Sequence, residues 1–200
     1  MTEQSLKDKT AKGLFWGGVS NGVQQLLNLL FGIFLARLLT PADYGMVGML
    51  TVFSALASIL QEGGFISALT NRKKTEHKDY NAVFWFSLLM GTSLYTLLYI
   101  CAPLIADFYQ QPQLTSLARL SFLSFLISST NVAPRAFLFK QLRTKENTII
   151  SFCSLTISGI IGIVLAYKGF AYWGIAIQAI AFTTGTTILS YYFSGWKPSF

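Results

Sequence analysis

The chain carries little charge. Only 12% of its 200 residues are Asp, Glu, Lys or Arg, about half the share usual in a soluble domain. A water-soluble chain of this size must cover a large surface with polar groups, and 15 basic and 8 acidic residues, bunched in short tracts, do not suffice. Its 2 cysteines exclude a disulfide-rich secreted scaffold. Cys101 and Cys153 lie in separate apolar runs whose topology places them near opposite membrane faces, which argues against a bond between them. A lone histidine, His77, with no Cys/His cluster around it, argues against a zinc site. No metal or other cofactor is expected. Nor is there a nucleophile–base arrangement, a Walker-type loop or a pair of carboxylates within the apolar runs, so the chain does not read as an enzyme.

What the sequence has instead is apolar surface: 52% hydrophobic residues, 15% aromatic, and a mean hydropathy of +0.51. A membrane-spanning helix needs about 20 mainly apolar residues at about 1.5 Å each. Six segments qualify: Leu14 to Leu39, Tyr44 to Leu69, Ala82 to Ile105, Leu114 to Ala133, Thr148 to Tyr167 and Phe170 to Tyr192. The expected fold is therefore all-α integral membrane, with a tail at 1–13, a six-span unit at 14–193 and a second tail or linker at 194–200. Lys7, Lys9 and Lys12 precede the first run, but it is too long for a signal peptide and reads as a retained span. Between the first two spans, Thr40-Pro41-Ala42-Asp43 reads as an N-cap, a first-turn proline and an acid near a helix start. Pro134 is expected to close or kink the fourth span, and Arg135 to Arg143 to form a short interfacial helix.

Basic residues set orientation. Lys7, Lys9, Lys12, Arg72, Lys73, Lys74, Lys78, Arg135, Lys140, Arg143, Lys145 and Lys197 fall on one side, leaving Arg37, Arg119 and Lys168 on the other. Both termini are expected to be cytoplasmic. The net charge of +7 is thus mostly topological, and nucleic acid is not an expected partner.

Polar residues within the spans are the functional candidates, because lipid does not satisfy them. Asn21, Gln24, Gln25 and Asn28 recur at i, i+3, i+4 and i+7 and share one helix face. They serve either as interhelical hydrogen-bonding groups or as a water-accessible wall. In the second span Thr51, Ser54, Ser58 and Glu62 share a face, with Gln61 at its edge. Glu62 lies at most about 15 Å from the inner boundary, a depth that suits proton coupling, cation coordination, an arginine pair or a solvated helix break. Arg37 and Arg119, near outer span ends, either snorkel or line a cavity for an anionic group. The Gly13/Gly17 and Gly18/Gly22 spacings predict close helix packing.

Several stretches resemble one family in order. They are Lys12-Gly-Leu-Phe-Trp16, Leu35-Ala-Arg-Leu-Leu-Thr-Pro-Ala-Asp-Tyr-Gly45, Gly64-Phe-Ile-Ser-Ala-Leu69, Phe84-Trp85 and Ala102-Pro-Leu-Ile-Ala-Asp-Phe-Tyr109 followed by Pro112. Together they resemble the N-terminal half of polysaccharide flippases of the O-antigen, colanic acid and teichuronic acid type in the MOP exporter superfamily. The resemblance implies one six-helix lobe of a MOP/MATE-like transporter in the bacterial inner membrane. Its substrate would be an undecaprenyl-diphosphate-linked oligosaccharide, moved outward by alternating access with ion coupling. Family members have twelve to fourteen spans in two lobes, so the resemblance also implies that this chain is a half-length unit needing a second six-span lobe or a homodimeric partner. Membrane lipids and polysaccharide synthesis enzymes are further expected partners. On this reading Asn21, Gln24, Gln25, Asn28, Arg37 and Arg119 line the substrate cavity and Glu62 couples to an ion. The rival readings are a multidrug or cation antiporter of the same superfamily and a non-transporting scaffold subunit of a polysaccharide synthesis complex.

Overall fold

A computed structural model describes the backbone of residues 3–62, 76–141 and 143–199, with the side chains of 3–17, 19–20 and 62 outside the description. Its described residues form helices and short connections: α1 Glu3–Leu38, α2 Pro41–Glu62, α3 His77–Phe108, α4 Leu114–Lys140, α5 Thr144–Tyr167 and α6 Ala171–Ser194. The protein is a multi-pass helical membrane protein. Pro41–Gln61, His77–Phe108, Leu114–Lys140 and Thr144–Tyr167 are each long and apolar enough to cross a bilayer. Large apolar side chains such as Leu26, Leu56, Leu97, Ile100 and Ile157 are more than half exposed, a surface suited to hydrocarbon and not to water.

The α1–α2, α3–α4, α4–α5 and α5–α6 pairs are joined by short connections. One end of the bundle gathers Lys78, Lys140, Arg143, Lys145 and Lys197, and is called the basic end below. The α1–α2 turn lies at the far end and closes as its residues predict. Asp43 Oδ2 accepts from the Thr40 backbone N–H at 2.9 Å and from Thr40 Oγ1 at 2.7 Å, while the Asp43 N–H donates to Thr40 Oγ1 at 3.3 Å. This reciprocal capping satisfies donors that a helix start leaves unpaired, and Pro41 occupies the position where its missing N–H costs nothing. Asp43 also accepts from the Tyr172 N–H, and the Tyr172 hydroxyl donates to Gln113 Oε1 at 2.9 Å. One tyrosine thereby joins the far ends of α2, α4 and α6.

The helix α4 is the central one, packing on α3, α6 and α2, while among the described residues α1 docks chiefly on α5. Around α4 the core is built from Leu50, Leu94, Ala102, Leu117, Phe122 and Phe125. Small residues permit the closest crossings. A Cβ at Gly91 would stand 2.4 Å from Ser129 Cβ, and one at Gly159 would stand 2.5 Å from the Phe31 ring. Among the described residues the packing expected at Gly18/Gly22 has no counterpart, because a Cβ at either would meet nothing within 4 Å; the side chains at Gly13 and Gly17 lie outside the description.

Two segments depart from expectation. Helix α1 begins at Glu3, so the expected N-terminal tail is largely helical. The stretch Arg135 to Lys140 is not a separate interfacial helix but the last turns of α4, which runs unbroken through a buried Pro134. Proline removes the N–H that would bond the carbonyl four residues earlier, here Thr130. The Tyr191 hydroxyl of α6 donates to that carbonyl at 2.9 Å, so the helix continues without an orphaned acceptor.

Beyond α6 the chain turns on Gly195, which adopts a left-handed φ of 63° and donates its N–H to the Tyr191 carbonyl. The turn drives Trp196 into a cluster with Tyr80, Phe84, Ala133 and Ala136, leaving it 4% exposed. His77 stacks on the Trp196 ring, their centres 5.8 Å apart. Ser199 then pairs with Asn81, its N–H donating to Asn81 Oδ1 at 3.0 Å and its hydroxyl accepting from Asn81 Nδ2 at 2.8 Å. The segment after α6 is therefore a strap across the basic ends of α3 and α4.

Candidate functional site

Hydroxyl and amide side chains line two clefts that meet at Arg135. The first, about 280 Å³, lies between α2, α4 and α6. Helix α2 contributes Ser58 and Gln61, helix α4 contributes Ser124, Ser128 and Asn131, and helix α6 contributes Thr183. The α4 residues follow from phase: Ser124, Ser128, Asn131 and Arg135 recur at i, i+4, i+7 and i+11, so they form one stripe. Gln61 is buried and held at both ends. Its Nε2 donates to the Phe125 carbonyl at 2.7 Å, and its Oε1 accepts from Ser128 Oγ at 3.0 Å.

The second cleft, about 410 Å³, opens between α1, α4, α5 and α6. Asn21 and Gln24 face Thr144, Asn147, Thr148 and Ser151 across it, and Thr186 and Ser190 close the α6 side. Arg135 lines both clefts, with its guanidinium 5.8 Å from the centre of the Phe139 ring. It lies about 8 Å short of the end of α4, at 1.5 Å per residue. No Asp or Glu lines either cleft among the described residues. Arg135 is exposed, and a guanidinium beside clefts lined by neutral polar groups attracts anions, its planar fork fitting phosphate or carboxylate.

The residues expected from sequence fall into distinct places. Asn21 and Gln24 line the second cleft, whereas Gln25 and Asn28 are exposed on the flank of α1 and line neither. Arg37 is exposed in the last turn of α1. Arg119 lies over the Tyr99 ring at 4.3 Å with its Nε buried, apart from both clefts. Glu62 ends α2, and its side chain is outside the described residues, as are Gly63, Gly64 and the basic residues Arg72, Lys73 and Lys74. Arg135 was not among the expected cavity residues. The serine–asparagine–arginine stripe of α4 is readable only once the helix is continued past Pro134.

The model of a family described as "Polysaccharide biosynthesis protein" matches residues 34–200. The chain belongs to that polysaccharide biosynthesis protein family. Its relatives include an uncharacterized membrane protein in the cps region of Klebsiella pneumoniae, 28% identical over 98% of this chain and 41% of the relative. The teichuronic acid biosynthesis protein TuaB of Bacillus subtilis is 27% identical over 86% of this chain and 39% of its own length. The lipopolysaccharide biosynthesis protein WzxC of Escherichia coli is 24% identical over 88% and 35% respectively. The chain thus spans about two fifths of these relatives. No solved structure matches it significantly. The match begins at Phe34, so it takes in Thr40–Asp43 and every residue of the first cleft, while Asn21 and Gln24 precede it.

Proposed function

We propose that this chain is one lobe of an exporter that moves an undecaprenyl-diphosphate-linked oligosaccharide across the bacterial inner membrane. On this reading all of its helices span the membrane, both termini are cytoplasmic, and a second six-span lobe or a second copy completes the transport path. Arg135, standing where two polar clefts meet with no Asp or Glu among their described lining residues, carries the proposal. A diphosphate is the part of such a substrate that most needs a cation inside the membrane, and arginine holds it with two parallel hydrogen bonds. Membership of the polysaccharide biosynthesis family supports the glycan part of the substrate. Arg135 thereby takes the role that Arg37 and Arg119 were expected to fill, while Asn21 and Gln24 remain wall residues. Alternating access is driven by an ion, for which Glu62 is the candidate on sequence grounds. A lipophilic-cation antiporter is disfavoured by the same arginine, which repels its cargo.

Native mass spectrometry of the chain in native-lipid discs, loaded with undecaprenyl-diphosphate-linked oligosaccharide, tests the assignment. The wild type and Arg119→Gln should retain the lipid adduct, and Arg135→Gln should lose it. Equal retention by all three proteins would remove Arg135 from the substrate path.

A further inference from the structure

We infer that the first cleft is a subsite for a single uncharged sugar ring, the one joined directly to the diphosphate, recognised through its hydroxyl donors. The inference rests on the transport reading above and assigns the ends of the substrate to the two sides of Arg135. Its basis is the direction of the hydrogen bonds in the cleft. Every serine and threonine hydroxyl there already donates to protein. Ser58 Oγ donates to the Ala55 carbonyl at 2.8 Å, Ser124 Oγ to the Ser121 carbonyl at 2.7 Å, and Thr183 Oγ1 to the Ala179 carbonyl at 3.0 Å. Ser128 Oγ donates to Gln61 Oε1 at 3.0 Å. What these groups offer the cleft is therefore their lone pairs.

Asn131 adds the decisive acceptor. The residue is 7% exposed, and its Oδ1 is buried with no hydrogen-bond partner among the described residues. A buried acceptor left unmatched is costly, and a ligand that supplies the missing donor gains that cost back as affinity. The wall as a whole thus calls for donors. A cation would satisfy acceptors too, but Arg135 stands at the opening, and among the described residues no carboxylate lines the cleft to offset it. An acyl chain would leave every acceptor unmatched. A sugar ring has hydroxyl donors around its edge, an apolar face for Phe125 and Val132, and no charge. At about 280 Å³ the cleft sits at the lower limit of small-ligand sites, roughly 300–1,000 Å³, so it fits one ring and not a chain of them. Its neighbour Arg135 is then placed for the phosphate attached to that ring.

The test compares two soluble probes on the full chain in detergent: geranyl diphosphate, and geranyl diphosphate carrying one glucose. Isothermal titration should give about tenfold tighter binding of the glucosylated probe. Thr183→Leu and Ser58→Leu, which fill the cleft from two different helices, should each reduce that preference to less than twofold. Equal affinity for the two probes in the wild type, with binding still dependent on Arg135, overturns the sugar subsite alone and means that the cleft holds only water. A preference that survives both filled variants overturns it as well. Failure of both probes to bind overturns the transport reading and the subsite together.

Discussion

The Tyr191 hydroxyl donates to the Thr130 carbonyl at 2.9 Å, and Thr130 is the residue whose helical hydrogen bond Pro134 deletes. A side chain of α6 thus repairs a break in α4, immediately beside Asn131 and one turn before Arg135. Trp196 packs with Tyr191 from the other side, their ring centres 6.3 Å apart. The strap after α6, the tyrosine and the proline form one connected support for the guanidinium between the clefts.

Removing the hydroxyl alone should expose that connection. Tyr191→Phe leaves Thr130 with an unmet carbonyl and should cost about 1–3 kcal/mol. Thermal unfolding in detergent measures it, with a fall of roughly 2–4 °C per kcal/mol for a chain of this size. The stronger check is a double-mutant cycle with Pro134→Ala, which returns an N–H to the same carbonyl. In that background Tyr191→Phe should cost less than half as much. Full additivity of the two substitutions would mean that the hydroxyl and the proline are energetically unrelated.

Glycine should matter where helices touch and not where they face lipid. Gly91→Ala puts a methyl against Ser129 Cβ and the Phe125 carbonyl oxygen, both parts of α4 that cannot swing aside. It should destabilise the protein by about 1–3 kcal/mol through overpacking. Gly48→Ala, whose added Cβ meets nothing within 4 Å, should instead stabilise by about 0.5–1 kcal/mol, because alanine has less backbone freedom to lose. Opposite signs in paired unfolding measurements are the expected result; equal shifts would refute the α3–α4 crossing.

The features legible in the sequence are the ones set by local chemistry. Thr40 and Asp43 cap α2 because a capping pair needs only residues three apart, and the apolar runs mark the helices because lipid solvates them whatever their neighbours. Arg135 was hidden for the opposite reason. Pro134 is a sound local reason to end a helix, and the group that overrides it, Tyr191, comes from a helix far along the chain. Once α4 was cut at Ala133, its polar stripe lost the arginine and kept only serines and an asparagine. Glycine spacing is a similar case: the GxxxG motif at Gly18/Gly22 has the right period, but only a facing helix makes a glycine a contact, and among the described residues nothing lies within 4 Å of a Cβ placed there. The Asn21–Asn28 stripe was half legible, because its phase is local while the position of α5, which leaves Gln24 in the cleft and Asn28 outside it, is not.

Trp196 should behave as part of the bundle and not as a tail. It is 4% exposed among Tyr80, Phe84 and Tyr191, so Trp196→Ala should cost about 3–5 kcal/mol, the range for a buried aromatic. Asn81→Ala removes the hydrogen bonds to Ser199 at an exposed site and should cost under about 1.5 kcal/mol. Thermal unfolding ranks the two substitutions, and a larger effect for Asn81→Ala would mean that polar contacts, and not the ring, hold the strap.

The guanidinium fork and the bare charge of Arg135 can be separated. Arg135→Lys keeps a positive charge between the clefts but replaces a planar bidentate donor with a hydrated point charge. Arg135→Gln removes the charge and keeps one amide donor. A charge-assisted hydrogen bond contributes about 1.5–3 kcal/mol, equivalent to roughly 10- to 150-fold in affinity. If the fork grips a diphosphate, Arg135→Lys should weaken geranyl diphosphate binding by about tenfold and Arg135→Gln by about a hundredfold or more. If only the field of the charge matters, Arg135→Lys should match the wild type. Added salt then distinguishes the two regimes. A solvent-exposed attraction fades as the Debye length contracts from about 10 Å at 0.1 M to about 3 Å at 1 M. A direct contact in a cleft is screened much less, so wild-type binding should weaken with salt by a smaller factor than the residual binding of Arg135→Lys.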